Sequence, residues 1–254
     1  MPQTHRMFFH YSEFPLSMRT LFTGTLLVLG LGYLFAMIQV FAVHSGRDGK
    51  PGLSVEDIVI AYSGSKEATR LESALLGPMS GMLPNNERGD IVGWIHRGLD
   101  EAEYETRIAP IFEGRCLACH DGSNPHISSL DGYENVAKAA EIDTGMTLYT
   151  LVRVTHIHLF GVTFIFFIMG WIFSHAYVRP VWLKALIIVL PFLALMVDVS
   201  AWYLTKFFPS FAWAVMVGGG VYGASFAVQW FISMYQIWFY KFTAREASSE
   251  TTVG

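Results

Sequence analysis

Four long apolar runs separated by polar segments dominate the pattern of this 254-residue chain. The first and fourth runs contain no charged side chain, which disfavours a set of helices buried in a soluble core. A helix needs about 20 apolar residues to cross a bilayer. The pattern therefore predicts an all-α protein with four transmembrane helices, at Leu21 to Val43, about Val154 to Tyr177, about Ala185 to Leu204, and Phe211 to about Trp238.

The first apolar run is longer than the ~15 residues usual in a signal peptide and lacks a clear cleavage pattern, so we expect a retained anchor. A long polar segment separates it from the other three. The predicted organisation is a cytoplasmic N-terminus (1–20), a first transmembrane helix (21–43), an extramembrane domain (44–150), a three-helix transmembrane bundle (151–240) and a cytoplasmic tail (241–254).

Charge is divided between the same segments. Residues 46–147 contain nine Lys or Arg and seventeen Asp or Glu, whereas the rest of the chain contains eight and four. Basic residues flank the spans on one side, and the positive-inside rule places that side in the cytoplasm. They are Arg6, Arg19, Arg179, Lys184, Lys241 and Arg245. We therefore expect a multi-pass protein of a bacterial inner membrane, with both termini cytoplasmic, the acidic domain in the periplasm and no nucleic-acid partner.

The chain has two cysteines, and both belong to the sequence Cys116-Leu117-Ala118-Cys119-His120. C-x-x-C-H is the attachment sequence of a c-type haem, in which the thiols form thioethers and the histidine is the proximal iron ligand. A short disulfide and half of a zinc site are the alternatives. A structural zinc site needs about four ligands, and no second C-x-x-C or H-x-x-x-H exists here. A redox dithiol is expected near a βαβ pattern, which the flanks lack. The motif predicts one covalent haem c.

The segment before this motif resembles parts of a small cytochrome c in permuted order. Residues 77–84, Gly-Pro-Met-Ser-Gly-Met-Leu-Pro, resemble the methionine loop, and residues 87–95 resemble the closing helix, with Ile91, Trp94 and Ile95 on one face. Residues 104–114 resemble the opening helix that leads into the haem motif, with an apolar stripe at Ile108, Ile111 and Phe112. We expect the two helices to pack together. The fold prediction is thus a circularly permuted cytochrome c-like domain between the first two spans.

A distal iron ligand is expected from the methionines of this domain. The resemblance makes Met79 the favoured ligand, with Met82 and Met146 as alternatives, while His96 and His126 are weaker candidates. A Met/His pair raises the reduction potential of a haem. With both axial positions filled, electron transfer is the expected function rather than catalysis at the iron.

Ionisable residues within membrane spans are functional candidates. His156 and His158 lie near the outer end of the second span, and Asp198 lies near the outer end of the third. One hypothesis is a quinone or proton site, in which His158 or Asp198 accepts protons. Another is a b-type haem held by His44 with His156 or His158, although the third and fourth spans have no histidine. The third hypothesis is that these residues form interhelical hydrogen bonds that fix the packing of the spans. Residues 218–220 and 223 are glycines, which predict a close approach of the fourth helix to its neighbours.

The whole arrangement resembles bacterial membrane-bound monohaem cytochromes, in which an anchor precedes the haem domain and a small helical bundle follows. The resemblance implies a covalent haem on Cys116 and Cys119, proximal ligation by His120, and electron transfer with redox partner proteins at the outer membrane face. The alternatives are a quinol-oxidising enzyme, a haem-based sensor and a haem-containing structural subunit of a respiratory complex. An acidic domain favours a basic partner.

Overall fold

The structure, a computed structural model, describes residues 9–65, 68–125 and 127–241. Across these ranges the chain is helical and forms no β-strand, apart from one isolated bridge between Thr69 and Ile142. The all-α prediction is confirmed. The helices are α1 (Leu16–His44), α2 (Val55–Ser63), α3 (Arg70–Leu76), α4 (Asn85–His96), α5 (Glu101–Glu103), α6 (Ala109–Arg115), α7 (Leu117–His120), α8 (Tyr133–Ala139), α9 (Leu148–Ser174), α10 (Val181–Thr205) and α11 (Ala212–Trp238). A π-helical turn, Tyr104–Ile108, joins α5 to α6, and 3₁₀ turns lie at Tyr11–Glu13 and Pro209–Phe211.

Four of these elements are long and apolar enough to cross a membrane within the described ranges: α1, α9, α10, and α11 with the turn that precedes it. The prediction of four membrane helices is confirmed, and the chain is a membrane protein. Three helices begin earlier than predicted: α1 at Leu16, α9 at Leu148 and α10 at Val181. Apolar runs mark the hydrocarbon-level part of a helix, and the polar residues that flank them extend the helix without breaking it.

The second span also ends earlier than predicted. Its last helical residue is Ser174, because the next two amides bond to carbonyls three residues back, at Ile172 and Phe173, which tightens the final turn. Most of the predicted cytoplasmic tail, residues 242–254, lies outside the described residues, as do Arg6 and His126.

Backbone contacts divide the chain into two compact units. The membrane unit comprises residues 1–37, 152–201 and 214–254, and the outer unit comprises residues 38–151 and 202–213.

The membrane unit has a core of aromatic and aliphatic side chains from its four helices, including Leu26, Phe166, Met169, Phe173 and Phe226. Hydrogen bonds from side chains to backbone carbonyls also join these helices. The indole Nε1 of Trp230 donates to the Leu26 carbonyl at 2.7 Å, and the Gln229 amide donates to the Ile187 carbonyl at 3.0 Å. Within a span, carbonyls that accept such bonds tie one helix to the next.

The outer unit begins its short helices with side-chain caps. Ser54 and Asp57 form a capping box at α2, and Thr69 and Glu72 form another at α3. Such caps satisfy amides that a helix start leaves without partners. The apolar faces of the helices meet in one core, which contains Leu71, Leu75, Leu83, Ile91, Trp94, Ile95, Tyr104, Ile108, Ala109, Phe112, Leu130, Val136 and Ala140.

Candidate functional site

The C-x-x-C-H motif occupies one helical turn of the outer unit. The amides of Cys119 and His120 both donate to the Cys116 carbonyl, at 3.1 and 2.9 Å. Both thiols are free; Cys119 is exposed and Cys116 is half-buried. One turn of helix therefore presents two thiols and an imidazole next to each other, without a disulfide.

The imidazole of His120 has a defined orientation. Its Nδ1 lies 2.7 Å from the Ser128 carbonyl oxygen. A carbonyl only accepts, so Nδ1 must carry a proton, and in the neutral imidazole the lone pair is then on Nε2. The loop is held in place a second time, because the Leu130 amide donates to the His120 carbonyl at 2.9 Å. A backbone partner on the second nitrogen is the usual way in which a metal-ligating histidine is oriented.

The first thiol lies against the apolar core. Cys116 and Leu117 both pack against the outer-unit cluster. Burial raises the pKa of the Cys116 thiol, and the negative charge of Glu87 adds to that rise. Reactive dithiols and thiolate metal ligands are found where positive charge or a helix N-terminus lowers the pKa. This environment keeps Cys116 protonated, which does not suit a redox dithiol.

Two helices pack next to the motif, as the sequence predicts. Ile91 and Trp94 of α4 are fully buried, and Ile108 of the segment leading to the motif is fully buried too. The Trp94 ring lies 5.6 Å from that of Tyr104, centroid to centroid. The predicted apolar faces of residues 87–95 and 104–114 are therefore confirmed as packing faces.

Ion pairs join the same two segments at their solvent-exposed sides. The Arg115 guanidinium donates two hydrogen bonds to the Glu87 carboxylate, each of 3.0 Å, and Arg107 donates to Asp90 at 2.5 Å. Arg115 immediately precedes Cys116. The bidentate pair thus fixes the approach of the chain to the motif, although exposed pairs add little to stability.

The candidate distal ligands all lie in the outer unit. Met79 is half-buried in a turn where its amide donates to the Ala74 carbonyl at 2.8 Å, and Met82 is 67% exposed. Met146 is half-buried in the segment before α9. His96 is already bonded to the Glu72 carboxylate at 2.5 Å, whereas the other weak candidate lies outside the described residues. Met79 stays the predicted ligand.

The membrane candidates have different surroundings. His156 and His158 are exposed on α9, and the His158 Nδ1 lies 3.0 Å from the Val154 carbonyl of its own helix. Asp198 of α10 is buried, and the Tyr222 hydroxyl of α11 donates to its carboxylate at 3.3 Å. The Asp198 carboxylate thus contacts the fourth span.

Gly218 explains how that contact forms. A Cβ added there would lie 3.0 Å from the Asp198 Cβ and 3.3 Å from its Oδ1, so the glycine leaves room for the carboxylate. The predicted close approach is confirmed at this position. At Gly219 and Gly220 an added Cβ would meet no atom within 4 Å.

His44, a candidate b-type haem ligand, lies at the end of α1. Its Nδ1 is buried and has no hydrogen-bond partner among the residues that the structure describes. Among those same residues, no three His, Cys, Asp or Glu side chains are grouped so that they could hold a metal ion.

Two contacts of these sites were absent from the sequence prediction. The Ser128 carbonyl that orients His120 is a backbone atom eight residues away, and nothing in its side chain indicates that role. Tyr222 is a hydroxyl in the fourth span close to the glycine run, and that position was the available signal for a polar partner of Asp198.

A family described as a transmembrane helical domain matches residues 127–244, which is less than half of the chain. No curated protein and no solved structure matches the chain. The matched segment contains α8 to α11 and begins after the C-x-x-C-H motif. The chain is therefore similar to that transmembrane family over its last three membrane helices.

Proposed function

We propose that this protein is a membrane-bound c-type cytochrome that transfers single electrons at the periplasmic face of a bacterial inner membrane. The observation that carries the proposal is the His120 ring, whose Nδ1 is held by the Ser128 carbonyl at 2.7 Å. That bond uses Nδ1 and leaves Nε2 as the ring nitrogen for a metal, and the same helical turn carries both free thiols.

The residues of this turn fit a covalently attached haem. Cys116 and Cys119 would each add across a vinyl group, so that a C–S bond forms and the thiol proton passes to the neighbouring carbon without an oxidant. His120 would be an iron ligand through Nε2, and Met79 would be a second ligand. A bound haem c supplies one-electron oxidation and reduction. The role of this chain would then be to hold His120 and Met79 in place and to supply an apolar environment, formed by Leu117 and the outer-unit core.

The acidic outer segment supports a basic redox partner. Three arginines near the motif are already paired with carboxylates: Arg97 with Glu103, Arg107 with Asp90 and Arg115 with Glu87. Each pair neutralises one acidic and one basic group, so the excess of seventeen Asp or Glu over nine Lys or Arg in residues 46–147 is unchanged. Electrostatic attraction to a basic partner would accelerate association and weaken with added salt.

The test is the intact mass of the full chain, produced in a host that attaches haem c. The wild-type protein should gain the mass of one haem under denaturing conditions. The double variant Cys116→Ser/Cys119→Ser should have the mass of the bare chain. His120→Ala tests ligation separately, because its thioethers can form while the absorption spectrum of the iron changes. A wild-type protein with the mass of the bare chain would contradict the proposal.

A quinol-oxidising role is the second candidate, and the buried Asp198 with its Tyr222 partner is the observation that favours it. Oxidation of a quinol releases two electrons and two protons; the electrons leave singly to the cytochrome, and Asp198 or His158 would accept a proton. Asp198→Asn should then abolish reduction of the cytochrome by quinol in membranes, while reduction by dithionite is unchanged. Equal quinol reduction in wild type and variant leaves a simple carrier or a structural haem subunit.

A further inference from the structure

The third span contains a proline well inside its helix. Pro191 is buried in α10 and has no backbone N–H. The carbonyl four residues before it, that of Ile187, therefore loses its usual donor within the helix. No water is available in the hydrocarbon of a membrane to replace that donor, and an unpaired carbonyl is costly there. A proline in a span thus needs a donor from a neighbouring helix.

Gln229 of α11 supplies this donor. Its Nε2 donates to the Ile187 carbonyl at 3.0 Å, and the side chain is 0% exposed. Placing a polar side chain inside a span is unfavourable in itself. The Gln229 Oε1 is also buried and has no hydrogen-bond partner among the residues that the structure describes. The amide bond to α10 goes to the carbonyl that Pro191 leaves open, and this gives the buried glutamine a specific role.

The same two helices hold Asp198. Ile187 lies opposite Gln229, and Asp198 lies against Gly218, where an added Cβ would be 3.0 Å from the Asp198 Cβ. The two contacts are eleven residues apart on each helix, from 187 to 198 and from 218 to 229, in opposite directions. They therefore belong to one antiparallel register. A bond that fixes α10 at Ile187 also fixes where the carboxylate of Asp198 meets α11.

We propose that Gln229 replaces the amide that Pro191 lacks and is thereby a positioning residue for Asp198. The glutamine holds the two halves of α10 in one geometry at the proline, and in this geometry the Tyr222 hydroxyl donates to the Asp198 carboxylate at 3.3 Å. This arrangement needs neither haem nor quinol. In the quinol-oxidising role it positions the proton acceptor, and that consequence alone rests on the second candidate function.

A double-mutant cycle tests the replacement of the amide. Gln229→Met keeps the length of the side chain and removes the donor, whereas Pro191→Ala restores a backbone N–H for the Ile187 carbonyl. Gln229→Met should raise the unfolding equilibrium constant about tenfold more in the wild-type background than in the Pro191→Ala background, because only the wild-type carbonyl is then left unpaired. Loss of the Gln229 Oε1 is common to both backgrounds and cancels in the comparison.

These constants are measured on the full chain by SDS titration in mixed micelles, with a short protease pulse at each step. Val228→Met is the matched control, since this neighbour of Gln229 on α11 is 39% exposed and should have the same small effect in both backgrounds. If Gln229→Met does not fold, recovery of folding by Pro191→Ala supports the same role. An equal effect of Gln229→Met in both backgrounds, or no recovery, would overturn it.

The infrared band of the Asp198 carboxyl group tests positioning separately from stability. The band is identified in protein made with isotope-labelled aspartate by its loss in Asp198→Asn. Gln229→Met should shift the band, in the way that Tyr222→Phe does, because the hydrogen bond to the carboxylate changes; Val228→Met should leave it in place. An unchanged band in Gln229→Met would overturn the positioning role. A shifted band without any reduction of the cytochrome by quinol would contradict the quinol role alone.

Discussion

Replacing Trp94 with alanine should destabilise the outer unit by about 3–5 kcal/mol, the usual cost of truncating a buried tryptophan. The side chain is 0% exposed, and its ring lies 5.6 Å from Tyr104 and 6.4 Å from Tyr133, centroid to centroid. Its Nε1 also donates to the Asp100 carbonyl at 2.8 Å. The truncation removes the ring contacts and the hydrogen bond together, and it leaves a cavity at the packing of α4 against the segment that leads to the C-x-x-C-H motif.

The two contributions can be separated by a second variant. Trp94→Phe keeps an aromatic ring and removes the indole N–H, so it should cost about 1 kcal/mol for the hydrogen bond, plus a smaller packing loss. Asp100 is exposed, so water can replace the lost donor at its carbonyl. Trp94→Ala should therefore be clearly worse than Trp94→Phe, because most of the stabilisation comes from ring burial.

The assay is a urea series on the full-length protein in detergent, with a short protease pulse that cleaves the outer unit only when it is unfolded. The midpoint should fall strongly for Trp94→Ala and slightly for Trp94→Phe. Tyr149→Ala is the control, since this side chain of the same unit is 80% exposed and should change stability by less than about 0.5 kcal/mol. A midpoint for Trp94→Ala equal to that of Tyr149→Ala would refute the assigned core.

Two further predictions concern the thiols of the C-x-x-C-H motif and the glycine next to Asp198. In protein made without haem attachment, iodoacetamide should modify the exposed Cys119 first. Cys116 should react only at higher pH, because burial raises the pKa of its thiol. Peptide mapping at several pH values measures both rates, and equal rates would contradict the placement of Cys116. Gly218→Leu should lower the stability of the protein in detergent by ~1–3 kcal/mol, because the new side chain would displace Asp198. Gly219→Leu should be tolerated, since an added Cβ there meets no atom within 4 Å. An equal loss of thermal stability in both variants would contradict the close approach at Gly218.

The sequence predicted those features that depend on local pattern. Long apolar runs were sufficient for the four membrane helices, and helical spacing was sufficient for the buried face of Ile91, Trp94 and Ile95. Helix ends were less accurate, as in α1, which begins at Leu16, because a helix continues through polar residues after the hydrocarbon-level run has ended.

The sequence could not predict contacts that join distant positions. The Ser128 carbonyl that orients His120 is present in any residue type, so no side chain signals it. The pairing of Tyr222 with Asp198 depends on how two spans face each other, which hydropathy does not determine. A pattern of single residues therefore identified the candidate groups but not the partners that orient them.

The most direct test of the electron-carrier account is a pyridine haemochrome assay on the purified full chain, with haem and protein quantified in the same sample. A membrane-bound c-type cytochrome should show a c-type spectrum at one haem per chain, and the pigment should stay with the protein after acid–acetone extraction because Cys116 and Cys119 hold it covalently. A chain that carries no haem, or only haem that the solvent extracts, would contradict it.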